Sequence, residues 1–181
     1  MMIQTAQLPL GVELRQLTMH RDDRGSFTEI YRAMWPTGVQ PIQWNLVQSA
    51  AGVLRGVHVH VRHADYLIIA AGRASVGLHD LRSDSPTAGK AALVEMCGEH
   101  LAAITIPPGV AHGFYFHEPS MHIYAVSHYW DTADELGCRW DDPALAIPWP
   151  KARAHISPRD AALPGLTALK QELAAALVSA I

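Results

Sequence analysis

Eleven histidines stand in this chain of 181 residues against 14 lysines plus arginines, and nine of the eleven fall between positions 58 and 128. Imidazole ligates divalent metals and exchanges protons near neutral pH, so chemistry is expected in the middle of the chain. In RGVHVH (55–60), alternation along a strand puts His58 and His60 on one face and Val57, Val59 and Val61 on the other. Arg55 joins the histidine face only if the strand bulges, and Gly56 is well placed for a bulge. In IPPGVAHGF (106–114) a Pro-Pro-Gly turn leads into a strand carrying His112. In HIYAVSHYW (122–130) the same alternation groups His122, Tyr124, Val126, His128 and Trp130. A tyrosine among histidines is a candidate proton donor. A tryptophan at a barrel mouth either stacks on a sugar or base or fills the core. In HISPRD (155–160), Asp160 has two readings. The local sequence favours a helix N-cap; the alternative is a carboxylate that reaches a histidine and fixes its tautomer.

The elements that must position these groups read as short strands. The segments 26–31, 43–49, 53–59, 65–71, 74–81, 92–96, 102–106 and 122–130 are strand candidates, separated by Gly, Pro, Asp and Ser at 36–38, 70–72, 83–89, 106–109 and 118–120. Many short strands so spaced indicate a sandwich or barrel. DYLIIAAG is almost continuously apolar, as a strand buried on both faces would be. Residues 131–160 read as an ordered but irregular segment. Leu163, Leu166, Leu169, Leu173 and Leu177, at spacings of three and four, predict a helix over 161–180 that packs on the barrel or on a second subunit.

The bulk numbers bound the rest. One domain over 1–181 is expected, with its barrel core at about 20–130. A net charge of −3 gives no basic face for nucleic acid. No stretch approaches the ~18 apolar residues of a membrane span. The N-terminal residues do not read as a signal peptide, and Cys97 and Cys138 make no disulfide framework. A cytoplasmic protein is the expectation.

Two of these segments together resemble the cupin motifs. Gly56 to Gly72, with His58, His60 and Asp65 at their spacing, follows the first, Asp standing where Glu is usual; Pro108 to His112 resembles the second. That resemblance implies an all-β double-stranded β-helix, or jelly-roll barrel, here with a C-terminal helix. It also implies a candidate divalent-metal set of His58, His60, Asp65 and His112, whose donors suit first-row transition metals.

A narrower resemblance runs from about residue 20 to 165. DDRGSFTEIY (22–31), QWNLVQSAAGVLRGVH (43–58), DLRSDSPTAG (80–89), IPPGVAHGF (106–114), RWDDPALAIPWP (139–150) and ISPRD (156–160) resemble, in order, segments of the dTDP-4-dehydrorhamnose 3,5-epimerases. The resemblance implies a homodimeric isomerase without metal or other cofactor. Its substrate would be a nucleotide-linked 4-keto-6-deoxy sugar on the route to rhamnose and cell-surface polysaccharide. His58 would be the base, oriented by Asp160, and Tyr124 the acid. Arg24 and Arg55 would hold the diphosphate. Phe27, Glu29, Gln43 and Asn45 would line the nucleotide site, with help from a second subunit. His60, His112 and Trp130 would lie near the sugar.

The chain departs from that family at telling positions. Asp65 and His60 stand where Lys and Gln are usual, Trp130 replaces a tyrosine, and Val76 replaces an acid. The first two changes together restore the cupin metal set. They define a second reading, a metal-dependent isomerase or oxygenase in which Tyr124 or His63 takes over as base. A third reading is a sugar-nucleotide binder without catalysis.

Overall fold

The computed structural model describes residues 7–131 and 134–179. Two five-stranded antiparallel sheets face each other. The first orders β1 (Glu13–Gln16), β9 (Ala102–Ile106), β6 (Asp65–Ala71), β11 (Ser120–Val126) and β4 (Gln43–Ser49). The second orders β12 (Glu135–Gly137), β5 (Leu54–His60), β10 (Val110–Phe116), β7 (Arg73–Asp80) and β8 (Ala91–Cys97). A hairpin of β2 (Met19–Asp22) and β3 (Gly25–Thr28) stands apart from both. This is the all-β double-sheet architecture expected, with short helices confined to the C-terminal part.

The apolar pattern explains the layering. Leu67, Ile69, Ile104 and Ile106 of the first sheet meet Val76, Leu78, Val94, Met96 and Phe116 of the second in the inter-sheet core. β6 is the central strand of its sheet, and its other face, Tyr66 and Ile68, is covered by Leu17, Ile30, Tyr31 and Val39. That two-sided burial is why DYLIIAA lacks alternation. The outer face of the second sheet, through Val57, Val59 and Ala111, is covered by Leu145, Ile147, Leu166, Leu169 and Leu173.

The C-terminal region differs from the expected single helix over 161–180. A short helix α1 (Pro158–Ala161) ends before Leu163, and α2 runs Leu166–Ser179. Pro164 supplies no N–H and disfavours helical backbone at Leu163, so Pro164 and Gly165 break the run. The first amide of α2, Leu166 N–H, donates to Asp142 Oδ2 at 2.8 Å, a cap from outside the helix. Leu166, Leu169 and Leu173 are buried as the periodicity predicts, whereas Leu177 is exposed. The 131–160 segment is also less irregular than its sequence suggests, holding β12 and a 3-10 turn at Pro143–Leu145. A three-residue strand is too short for its alternation to be read.

Two local features set the site. β5 pairs with β10 as His112 to His58 and then Gly113 to Gly56, leaving Val57 as the extra residue of a bulge. Gly56 has φ +106°, and a Cβ there would stand 2.8 Å from both Gly113 Cα and His112 O. Only glycine fits, and the bulge turns Arg55 into the same cavity as His58. β11 ends at Val126, so the alternation projected to residue 130 stops early: His128 is exposed, and Trp130 reaches the cavity from a loop.

Candidate active site

A cavity of about 500 Å³ opens between the sheets, and His58, His60, Asp65, His112, Tyr124 and Asp160 all line it. β5 of the second sheet delivers His58, while β11 of the first delivers Tyr124. The two therefore approach the cavity from different sheets.

His58 lies between two carboxylates. Its Nε2 is 2.9 Å from Asp160 Oδ1 and its Nδ1 is 3.1 Å from Glu135 Oε1. Asp160 is not the helix cap that the local sequence favours; Ser157 caps α1, accepting from Asp160 N–H at 3.0 Å. Burial alone would raise Asp160. The hydrogen bond and charge of His58, with the Gly56 amide and Ser157, outweigh it and hold the carboxyl below its ordinary range. Glu135 was not anticipated. Besides His58 it accepts from Trp130 Nε1 at 2.9 Å and pairs with Arg159 at 3.0 Å. Its only signal is β12 pairing with β5, which is invisible in sequence.

Tyr124 is half-buried. Burial first, then the carboxylates Asp65 and Glu135, push its phenol upward, so it keeps its proton at neutral pH and can donate it. His122 stacks on Phe114, Phe116 and Tyr124 in a column, of which His122, Phe114 and Tyr124 line the cavity. Burial and then Arg55 lower His122 to about 4, so it is neutral there. Arg55 is held at the rim by Ser49 Oγ at 2.9 Å and the Gln48 carbonyl at 3.3 Å.

The other expected binding residues divide. Gln43 and Asn45 share the inward face of β4 with Val47, which lines the cavity; Gln43 donates to Asn45 Oδ1 at 2.9 Å and accepts from the Trp130 amide at 3.0 Å. Arg24 and Phe27 sit on the β2–β3 hairpin, with Arg24 held by Asp22, and Glu29 pairs with Arg32. None of Arg24, Phe27 or Glu29 lines this chain's cavity.

The alternative metal set also divides. His60 Nε2 and His112 Nε2 each stand 3.6 Å from Asp65 Oδ2. His58 lies outside that group, both ring nitrogens being engaged by carboxylates. His63, named at the outset only as a substitute base, comes to Asp65 Oδ1 at 3.9 Å. Burial, and after it neighbouring imidazoles, lowers His60 to about 2; burial lowers His112 to about 4.

Fold and site together define a double-sheet β-barrel whose cavity holds a carboxylate-bound histidine from one sheet and a tyrosine from the other. The model of the dTDP-4-dehydrorhamnose 3,5-epimerase family matches residues 8–168, and the chain belongs to that family. The epimerase of Pseudomonas aeruginosa is 36% identical over 137 residues, covering 71% of this chain and 76% of that protein. The spore coat polysaccharide biosynthesis protein SpsL of Bacillus subtilis is 34% identical over 143 residues, 77% of this chain and 95% of that protein. The crystal structure of the Legionella pneumophila enzyme RmlC, in complex with dTDP-4-keto-L-rhamnose, superposes with TM-score 0.84 at 31% identity, over 90% of this chain and 92% of that one. The chain is accordingly an isomerase of the carbohydrate-epimerase type.

Proposed function

We propose that the chain inverts one or more carbons next to the ketone of a dTDP-linked 4-keto-6-deoxy sugar, with His58 as base and Tyr124 as acid. The observation that supports this most is the His58–Asp160 pair at 2.9 Å on the sheet opposite Tyr124. A proton beside a ketone is removed by a base, the charge moves onto the ketone oxygen, and inversion requires a proton returned from the other face. Asp160 accepts from one ring nitrogen of His58 and fixes the ring; the other nitrogen, 3.1 Å from Glu135 Oε1, takes the substrate proton once substrate displaces that contact. The high phenol value of Tyr124 keeps its proton available.

Arg55 at the rim suits the diphosphate. Arg24, Phe27 and Glu29 complete the nucleotide site of a second copy of this chain in a homodimer. β4 supports that reading: it is an edge strand with exposed Trp44 and Leu46 on its outer face, near exposed Ile42. Such an enzyme needs no membrane contact and acts among the soluble sugar-nucleotide enzymes of the cytoplasm.

Incubating the chain with a dTDP-4-keto-6-deoxy sugar in deuterated water tests the reading. Deuterium is expected to enter next to the ketone, and His58→Asn should reduce that entry by about 10²–10⁴-fold. Tyr124→Phe should retain exchange while losing inverted product, because the base still returns protons to the face it took them from. Nucleotide binding without exchange in the wild-type chain would instead make it a binder.

A further inference from the structure

We propose that His60 Nε2, His112 Nε2 and the Asp65 carboxylate form a binding site for one divalent transition-metal ion, beside the buried Nε2 of His63. The argument begins with tautomers. His60 Nδ1 lies 3.3 Å from the Asp134 carbonyl and His112 Nδ1 lies 3.1 Å from the Val110 carbonyl. A carbonyl only accepts, so each Nδ1 carries the proton and each Nε2 of the neutral ring presents a lone pair. His63 Nδ1 is 2.8 Å from Asp134 Oδ2, which places its proton likewise, and its buried Nε2 has no hydrogen-bond partner. The His60 and His112 lone pairs meet at Asp65 Oδ2, each 3.6 Å away, and His63 Nε2 stands 3.9 Å from Oδ1, all beyond hydrogen-bond distance.

Lone pairs facing a carboxylate repel it, and burial disfavours the charge of Asp65. A cation among them removes both penalties. Bonds of ~2.0–2.1 Å in a tetrahedral site put ligand atoms roughly 3.3–3.4 Å apart, close to the 3.6 Å at which His60 and His112 each stand from Asp65, and the three donor atoms lie within 4.8 Å of one another. The outer contacts are those of a built site: carbonyl or carboxylate oxygens hold the far nitrogen of all three rings. Two imidazoles and a carboxylate with open positions toward the cavity suit zinc, cobalt, nickel or iron. His58 is excluded because Asp160 and Glu135 already hold its ring. Binding stands on these donors alone. Use of the ion as a Lewis acid toward a keto oxygen rests on the epimerase reading.

The test uses the untagged full chain, dialysed against a chelator and titrated with Co²⁺ and with Zn²⁺ by calorimetry. One ion per chain at micromolar affinity or tighter is expected, with visible ligand-field absorption from cobalt. His60→Gln or His112→Gln should weaken binding at least ~100-fold, and Asp134→Asn about 10–100-fold. Should those variants fail to fold, cobalt in the wild-type chain must shift the Nδ1–H proton resonances of His60 and His112. Affinity no tighter than millimolar, or unchanged in folded His60→Gln and His112→Gln, overturns the site. Deuterium exchange measured with and without the ion separates the two claims: a bound ion that leaves exchange unaltered overturns the Lewis-acid use alone.

Discussion

At the scale of single residues, His58 has two carboxylate neighbours of different character. Asp160 is anchored by the Gly56 amide at 3.2 Å and belongs to a helix turn capped by Ser157. Glu135 is shared with Trp130 and Arg159, two groups at the cavity wall. Orientation of the base is therefore expected to depend on Asp160. Asp160→Asn should lower kcat by about 10²-fold or more with KM little changed. Glu135→Gln keeps an acceptor for Trp130 and should cost much less. Steady-state kinetics on the two variants checks the contrast; equal losses would assign the orienting role to both.

At the scale of elements, the β5 bulge holds the site in shape. Alternation correctly placed His58 and His60 together, but Arg55 reaches the same cavity only because Val57 is the extra residue. Gly56→Ala would put a Cβ against Gly113 and His112 at a φ that L residues rarely adopt. A loss of about 2 kcal/mol or more is expected from urea unfolding, with activity falling alongside because His58 is two residues away. The turn after β7 makes a second element-scale prediction. Burial would raise Asp80, but Arg82, then Thr87 and Ser85, hydrogen-bond it and hold it below its ordinary 3.8. A carboxyl depressed on folding contributes stability fully above its unfolded value and loses it as pH falls through the range below. Wild-type stability should therefore drop more steeply from pH 5 to about pH 2 than that of Asp80→Asn, as unfolding measured across that range would show.

At the scale of the whole molecule, the residues expected at the nucleotide site fall into two groups. Arg55, Gln43 and Asn45 lie on strands that flank the cavity, whereas Arg24, Phe27 and Glu29 belong to the hairpin region outside it. If a second copy supplies the latter, light scattering should show a dimer. Mixing inactive Arg24→Ala with inactive His58→Asn should then restore about a quarter of full activity by random re-pairing, because one site of each mixed dimer has both residues intact. A monomer, or no recovery on mixing after subunit exchange, would remove the shared site.

What the sequence determined by itself is whatever local pattern encodes. The β6 strand was legible because six successive apolar or half-apolar residues follow Asp65 and leave little choice, and the His58–His60 pair because a strand has period two. The family was legible because its short segments recur in order. Other features had no local signal. Asp160 meets His58 across a separation of 102 residues, and the local sequence pointed to a cap instead. Glu135 and His63 are placed by a three-residue strand and by the short loop before β6, elements too short for periodicity to mark. The Leu163 to Leu177 repeat pointed to one helix, but Pro164 and Gly165 divided it. For His60 and His63, tertiary structure alone decided which nitrogen is free, because Asp134, which holds the other, lies 74 and 71 residues away; His112 is held locally, by the Val110 carbonyl of its own strand. That choice separates His58, fixed between carboxylates, from His60 and His112, whose lone pairs meet at Asp65.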